Sequence, residues 1–320
     1  MIDKINITAL GGGTGLSSLL RGLKKYNDKI TAIVNVADDG GSSGKLRNEL
    51  GVLPPGDIRN CLVALSEEES LMSRLFQYRF PQNGSLAGHS FGNLFLTAMS
   101  AISGSFDNAI LNCAEVLAIR GRVLPATLSP VVLEAELKSG RQIIGESNIS
   151  NVYEKIDEII LFPPNPPAAP EVLTAIKNSD VLIFGPGSLY TSVVVNFLVD
   201  GVVEAIKSSK SYKIYIANIM TQPGETSEYK LSDHIAAIEK HSYKGILDMV
   251  LVNKAKIPRK IIRRYKKQGA DQVEIDKIKV KTRKANLFSD KIYARHDSGK
   301  LAEAIVKIVK RKVNSGRKND

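Results

Sequence analysis

Tryptophan is absent from this chain and cysteine nearly so, with Cys61 and Cys113 the only two. Two thiols cannot build a disulfide framework, and neither sits in a Cys-x-x-Cys pair. Both fall within apolar helical patterns (Asn60-Cys61-Leu62-Val63 and Leu111-Asn112-Cys113-Ala114), which reads as buried thiols acting as small hydrophobes. Aromatic residues amount to 6% and do not interleave with basic ones as a platform for stacked bases requires. No run of about 18 apolar residues exists, which excludes a spanning helix. Met1-Ile2-Asp3-Lys4 leads straight into an alternating pattern, without the basic start and apolar stretch of a secretory signal. The expected location is therefore cytoplasmic. Also missing are a Gly-x-x-x-x-Gly-Lys-Ser/Thr loop, a His-Glu-x-x-His zinc motif and a Gly-x-Ser-x-Gly elbow.

What the chain does have is apolar mass. With 320 residues, 43% of them hydrophobic, it can bury one large core or two modest ones. Its net charge of +11 is unevenly placed. Residues 254–320 hold 22 Lys and Arg against 7 Asp and Glu, whereas the first 253 residues are slightly acidic. A basic third suits nucleic acid, a phosphate-rich ligand or membrane lipid. Without interleaved aromatics we read it as a solvated face and do not expect nucleic acid as the partner.

Apolar runs of strand length alternate with helical ones, the pattern of an α/β protein with a mainly parallel, Rossmann-like sheet and helices on both faces. Strands are expected at Ile5–Leu10, Ile30–Val36, Val181–Phe184, Tyr212–Asn218, Val250–Asn253 and Ile292–Arg295. Helices are expected at Leu16–Tyr26, Tyr190–Lys207, 232–240 and 299–312. Between about 57 and 165 the pattern turns mostly helical, with a hairpin around Lys138-Ser139-Gly140, and Pro163-Pro164-Asn165-Pro166-Pro167 marks a stiff return to the sheet. The expected organisation is one domain over 1–312 with this largely helical insertion, and a disordered tail at 313–320.

The strongest local signal is Gly11-Gly12-Gly13-Thr14-Gly15, directly after the first strand and before a helix. Glycines there let backbone N–H groups approach a phosphate at the positive end of the helix, and the Thr14 hydroxyl adds a donor. The second strand ends in Asn35-Val36-Ala37-Asp38-Asp39, followed by a glycine-serine run containing Ser42 and Ser43. An acid at that place accepts from a ribose in a dinucleotide fold. Two adjacent carboxylates repel, so they need a cation, a donor cluster or opposite facings, and Mg²⁺ bridging carboxylate and phosphate suits them. The alternative is a polar turn in which one Asp caps a helix. Asp57 reads as a helix N-cap, with Arg59 and Asn60 able to face a cleft; His89 and Asn93 open a further helix in Gly88-His89-Ser90-Phe91-Gly92-Asn93. Gly185-Pro186-Gly187-Ser188 and Thr191 repeat the strand–turn–helix logic, Asn218 ends the next strand, and Arg295 is suited to bidentate contact with a diphosphate.

The runs Ala9–Leu16, Ala37–Gly44, Pro54–Asn60, Gly88–Asn93, Gly185–Ser192, Asn218–Thr226 and Arg295–Asp297 resemble, in order and over about residues 5–310, the gluconeogenesis-factor (YvcK-like) family. That family shares a superfamily with 2-phospho-L-lactate transferase. The resemblance implies a cytoplasmic Rossmann-like protein that binds a uridine diphospho-sugar, UDP-N-acetylglucosamine in particular, and acts on carbon flux, cell-wall synthesis and cell shape. No reaction is implied for this branch. In the transferase branch the second-strand acids bind magnesium beside the nucleotide, and Asp38 and Asp39 match those positions. A non-catalytic regulator is thus the leading reading, with a magnesium-dependent transferase as the alternative. A nicotinamide oxidoreductase and a nucleic-acid protein rest on one feature each. Ser298, three residues after Arg295, is a candidate phosphorylation site. A homo-oligomer is left open.

Overall fold

The computed structural model describes residues 2, 4–67, 71–289 and 293–316. From the N-terminus the chain forms β1 (Ile7–Gly11), α1 (Gly13–Leu23), β2 (Ile30–Val34), α2 (Gly41–Leu50), α3 (Gly56–Leu65), α4 (Leu71–Gln77), α5 (Phe91–Ser103), α6 (Phe106–Val116) and β3 (Arg122–Pro125). It continues through β4 (Val132–Leu137), β5 (Gln142–Ile144), α7 (Glu146–Ile149), β6 (Ile156–Phe162), α8 (Val172–Lys177) and β7 (Val181–Phe184). Last come α9 (Val202–Ser208), β8 (Tyr212–Ile216), α10 (Leu231–Lys240), β9 (Met249–Asn253), α11 (Arg259–Lys266), β10 (Lys281–Ala285) and α12 (Ser298–Gly316).

Seven strands build one parallel sheet in the order β10-β9-β8-β7-β1-β2-β3. β1 and β7 are buried at every position, as strands covered on both faces must be, and their apolar runs follow from that. The helices surround this sheet, α1 packing on α3 and α12 while α8 packs on α9. From β1 the chain steps outward to β2 and β3, then returns to β7 on the other side of β1 and steps outward again. The reversal makes a crevice beyond the carboxyl ends of β1 and β7, the general location of ligands in open α/β sheets.

Several expectations change. In the region 57–165 the run of helices α3–α6 ends at Val116; β3 in its middle joins the main sheet, and β4, β5 and β6 form a separate antiparallel sheet with β4 central, the four-residue α7 lying between β5 and β6. The single helix expected over Tyr190–Lys207 is instead a π turn at Leu189–Val193, a 3₁₀ turn at Val194–Leu198 and then α9. Val193-Val194-Val195 crowds a regular helix at its branched side chains, and Gly201, at φ +77°, restarts the chain in the left-handed region. Of the strand expected at Ile292–Arg295, Ile292 lies outside the described residues and 293–295 form no strand. The edge place is taken by β10, whose sequence Lys-Thr-Arg-Lys-Ala has no apolar alternation because its side chains are largely exposed. Of the tail expected at 313–320, residues 313–316 belong to α12, and 317–320 lie outside the described residues. Cys61 and Cys113 are buried and free; burial pushes the Cys113 thiol up to about 12 and Cys61 well above its ordinary value.

Candidate functional site

The glycine turn after β1 and the one after β7 stand side by side, because their strands are paired with Leu10 opposite Phe184. A side-chain carbon at position 15 would lie 2.8 Å from the Pro186 carbonyl carbon and 3.0 Å from the Gly187 nitrogen, so only glycine permits this approach. Gly13, at φ +63°, turns the chain into α1. Together the turns wall one end of a cleft of about 400 Å³. Of the residues singled out in the sequence, Gly12, Gly13, Thr14, Gly15, Asp38, Gly187, Ser188, Asn218 and Arg295 line it. Asn218, just beyond β8, holds the second turn in place: its Nδ2 donates to the Gly187 carbonyl at 3.0 Å and to Gln222 Oε1 at 3.1 Å. Gln222 in turn donates to the Ser188 hydroxyl at 2.7 Å. Arg295 is exposed at the rim, its guanidinium 5.5 Å from the centre of the Tyr293 ring.

The other predicted residues sit behind the wall. Gly11 is the last residue of β1. Asn35 ties the end of β2 to the turn after β7, donating to the Thr191 carbonyl at 3.0 Å while accepting from the Ala37 amide at 2.6 Å. Thr191 donates to Glu225, a buried carboxylate that also accepts from the Tyr190 and Thr191 amides. The protein's own acid thus fills the positive end of that turn, leaving Gly187 and Ser188 as its cleft-facing part. Asp38 and Asp39 face apart. Asp38 lines the cleft and accepts from Gly40 N at 2.9 Å, whereas Asp39 accepts from both the amide and the hydroxyl of Ser147 at the start of α7. The divergence relieves their repulsion, and it sets Asp39 away from any ion at Asp38. Ser42 lies 3.0 Å from His89 Nδ1 and accepts from Asn93 Nδ2 at 3.0 Å, forming a buried network beside the cleft rather than on its wall. Ser43 accepts from Gly56 N at 3.1 Å, and Arg59 donates to Asn60 Oδ1 at 2.7 Å. Burial first, then the nearby Arg79, lowers the Arg59 guanidinium to about 10. Ser298 is the first residue of α12, and Asp297 caps it by accepting from Lys300 N at 2.9 Å.

Two acids of the cleft were not expected there: Asp57, read from the sequence as a helix cap, and Glu146, which the sequence does not single out. Asp57 is not a cap: Pro55 occupies that position, and Asp57 Oδ2 accepts from Gly13 N at 2.5 Å, across the chain. Burial, then the charge of Asp38, pushes its carboxyl up to about 6. Glu146, from α7, reaches the same cleft; burial, then Asp38, raises it well above the usual carboxylate range, and its Oε2 is enclosed without a hydrogen-bond partner. Nothing in the local sequence of Glu146 marks it, since it arrives from the antiparallel sheet's side of the molecule. Asp57 was legible only as the acid that follows Pro-Pro-Gly at a helix start.

Comparison with known proteins gives a consistent relationship. The family model described as 2-phospho-L-lactate transferase CofD matches residues 7–293. A gluconeogenesis factor of Bacillus subtilis is 46% identical, over 97% of this chain and 100% of the relative. A putative gluconeogenesis factor of a Nostoc species is 52% identical, over 94% of this chain and 68% of the relative. The crystal structure of a UPF0052-family protein from Bacillus halodurans superposes with a TM-score of 0.91 at 47% identity, covering 94% of this chain and 98% of that one. Extensive identity over nearly the whole chain, on one shared seven-stranded framework, makes this chain a member of the gluconeogenesis-factor group within the CofD family.

Proposed function

We propose that the chain is a cytoplasmic regulatory protein that binds a uridine diphospho-sugar, UDP-N-acetylglucosamine in particular, and through it influences carbon flux in gluconeogenic growth, cell-wall synthesis and cell shape. The observation that carries this reading is the abutment of two glycine turns at the β1–β7 reversal. Backbone N–H groups beyond Gly13 at the start of α1, the amide of Gly13 itself being taken by Asp57, offer donors to a diphosphate, with Ser188 and Arg295 nearby. The remaining length of the cleft is mixed polar and apolar, with Ile219, Met220 and Tyr265 among its lining, which suits a base and a sugar.

Among the described residues of the lining, Asp38, Asp57 and Glu146 outnumber the one arginine. Glu146 holds its proton more tightly than an ordinary carboxyl, but Asp38 and Asp57 still present like charge to a diphosphate entering there, so a cation is a natural companion. No group of three or more His, Cys, Asp or Glu among the described residues is arranged to hold a metal by itself. Magnesium commonly takes one or two carboxylates and completes its shell with phosphate oxygens and water. Asp38 and Asp57 fit that habit and would hold it, Asp39 being turned away. The magnesium would neutralise charge between carboxylate and phosphate.

Thermal denaturation with a panel of nucleotides and nucleotide sugars, with and without magnesium, tests the reading. The largest stabilisation is expected for UDP-N-acetylglucosamine, on the order of 3 kcal/mol at a hundredfold excess over Kd. Equal response to every nucleotide, or none, would overturn it. A transferase reading draws on the orphaned Oε2 of Glu146, an acid with no structural partner facing the cleft. Magnesium-dependent consumption of a nucleoside diphospho-substrate would support that alternative instead.

A further inference from the structure

A second concavity, separate from the nucleotide cleft, lies where β10 meets α12. It has a volume of about 390 Å³ and is lined by Lys254, Arg283, Lys284, Lys300 and Lys307, with Glu303 as the one acid. Glu303 pairs with Lys307 at 3.3 Å, and Lys300 Nζ donates to the Phe288 carbonyl at 3.0 Å. Among the described residues, no carboxylate forms an ion pair with Lys254, Arg283 or Lys284. Three separate stretches of chain, the residue after β9, the edge strand and the last helix, bring these cations to one place.

The backbone adds a second property. β10 is the terminal strand of the sheet and pairs only with β9 among the described strands. Its outer N–H and C=O groups are therefore available to another extended chain. Basic side chains on an edge discourage pairing between identical copies. The same charges favour an acidic strand, whose alternate side chains would project toward Lys300 and Lys307 while its backbone extends the sheet. Nucleic acid would satisfy the charge but leave the strand edge unused, and no aromatic residue lines the groove for a base to stack on.

We propose that this groove is a docking site for an extended acidic peptide segment of a partner protein, carrying Asp or Glu at every second residue and adding as a strand to β10. Fluorescence anisotropy with the full chain and a short labelled peptide of alternating Glu and Val tests it. Binding is expected, and it should weaken at least about tenfold when alternate amides of the peptide are N-methylated, because methylation keeps the charge but removes ladder bonds. Arg283→Glu on the strand and Lys300→Glu on the helix should each produce a comparable loss without altering nucleotide-sugar affinity. Absence of binding would overturn the proposal. So would equal binding of the methylated peptide, which would reduce the effect to charge alone, or tighter binding of single-stranded DNA, which would assign the groove to nucleic acid.

Discussion

Replacing Gly15 with alanine tests the contact on which the site depends. The new methyl carbon would sit 2.8 Å from the Pro186 carbonyl carbon and 3.0 Å from the Gly187 nitrogen. Both are backbone atoms of a turn held by Asn218 and Gln222, so neither can swing aside as a side chain could. Overpacking of this kind costs about 1–3 kcal/mol, and the rigidity of the neighbour places Gly15→Ala near the upper end. Gly11→Ala is the matched control. The nearest atoms to its methyl would be those of the Leu16 side chain, at 3.5–3.8 Å, which is ordinary contact, and the loss of unfolded-state freedom should leave stability unchanged or raise it by up to about 1 kcal/mol. Urea denaturation measures both. A drop in midpoint for Gly15→Ala with an unchanged slope, together with at least tenfold weaker nucleotide-sugar binding, is the expected result. If Gly15→Ala matched Gly11→Ala in both stability and affinity, the turns would not be in contact and the reasoning would fail.

Three further outcomes are expected. Asp57 has a carboxyl raised from 3.8 to about 6, so the folded state holds its proton more tightly than the unfolded chain. Its contribution is fully present below about pH 4 and is lost as the pH rises through about 6, a change on the order of 3 kcal/mol; in magnesium-free buffer, Asp57→Asn should flatten the pH dependence of stability in that window, and an unaltered profile would show the carboxyl is not perturbed. Arg295→Ala should leave the midpoint of unfolding in place and weaken nucleotide-sugar binding by about 10- to 100-fold, from loss of charge-assisted hydrogen bonds; calorimetric titration giving an unchanged affinity would remove Arg295 from the site. Asp38→Asn should reduce the magnesium dependence of binding more than the binding measured without magnesium, and equal losses in both would place Asp38 on the ligand rather than on a metal.

How much of this was readable in the sequence depended on whether the signal was local. β1, β2, β7, β8 and β9 are buried strands and announce themselves as apolar runs. The exposed edge strand β10 does not, since it is the terminal strand among those described and its residues are mostly charged. β3 is four residues long and ends in proline, too short for a period to show. At the site, glycine turns are legible because a missing side chain constrains the backbone of its own neighbourhood. The opposed facings of Asp38 and Asp39 are not, because Ser147 from α7 decides them. Glu146 enters the cleft from α7, and Gln222 and Glu225, which fall in the run Asn218–Thr226, bond the turn after β7; these contacts are set by the assembled fold.

The most direct test of a diphosphate gripped between paired turns is a crystal structure of the protein with UDP-N-acetylglucosamine and magnesium. Phosphate oxygens are expected within hydrogen-bond reach of backbone amides in 14–16 and of Ser188 together, with Asp38 beside the ion. Phosphates bound elsewhere, or contacting one turn while the other stays distant, would contradict it.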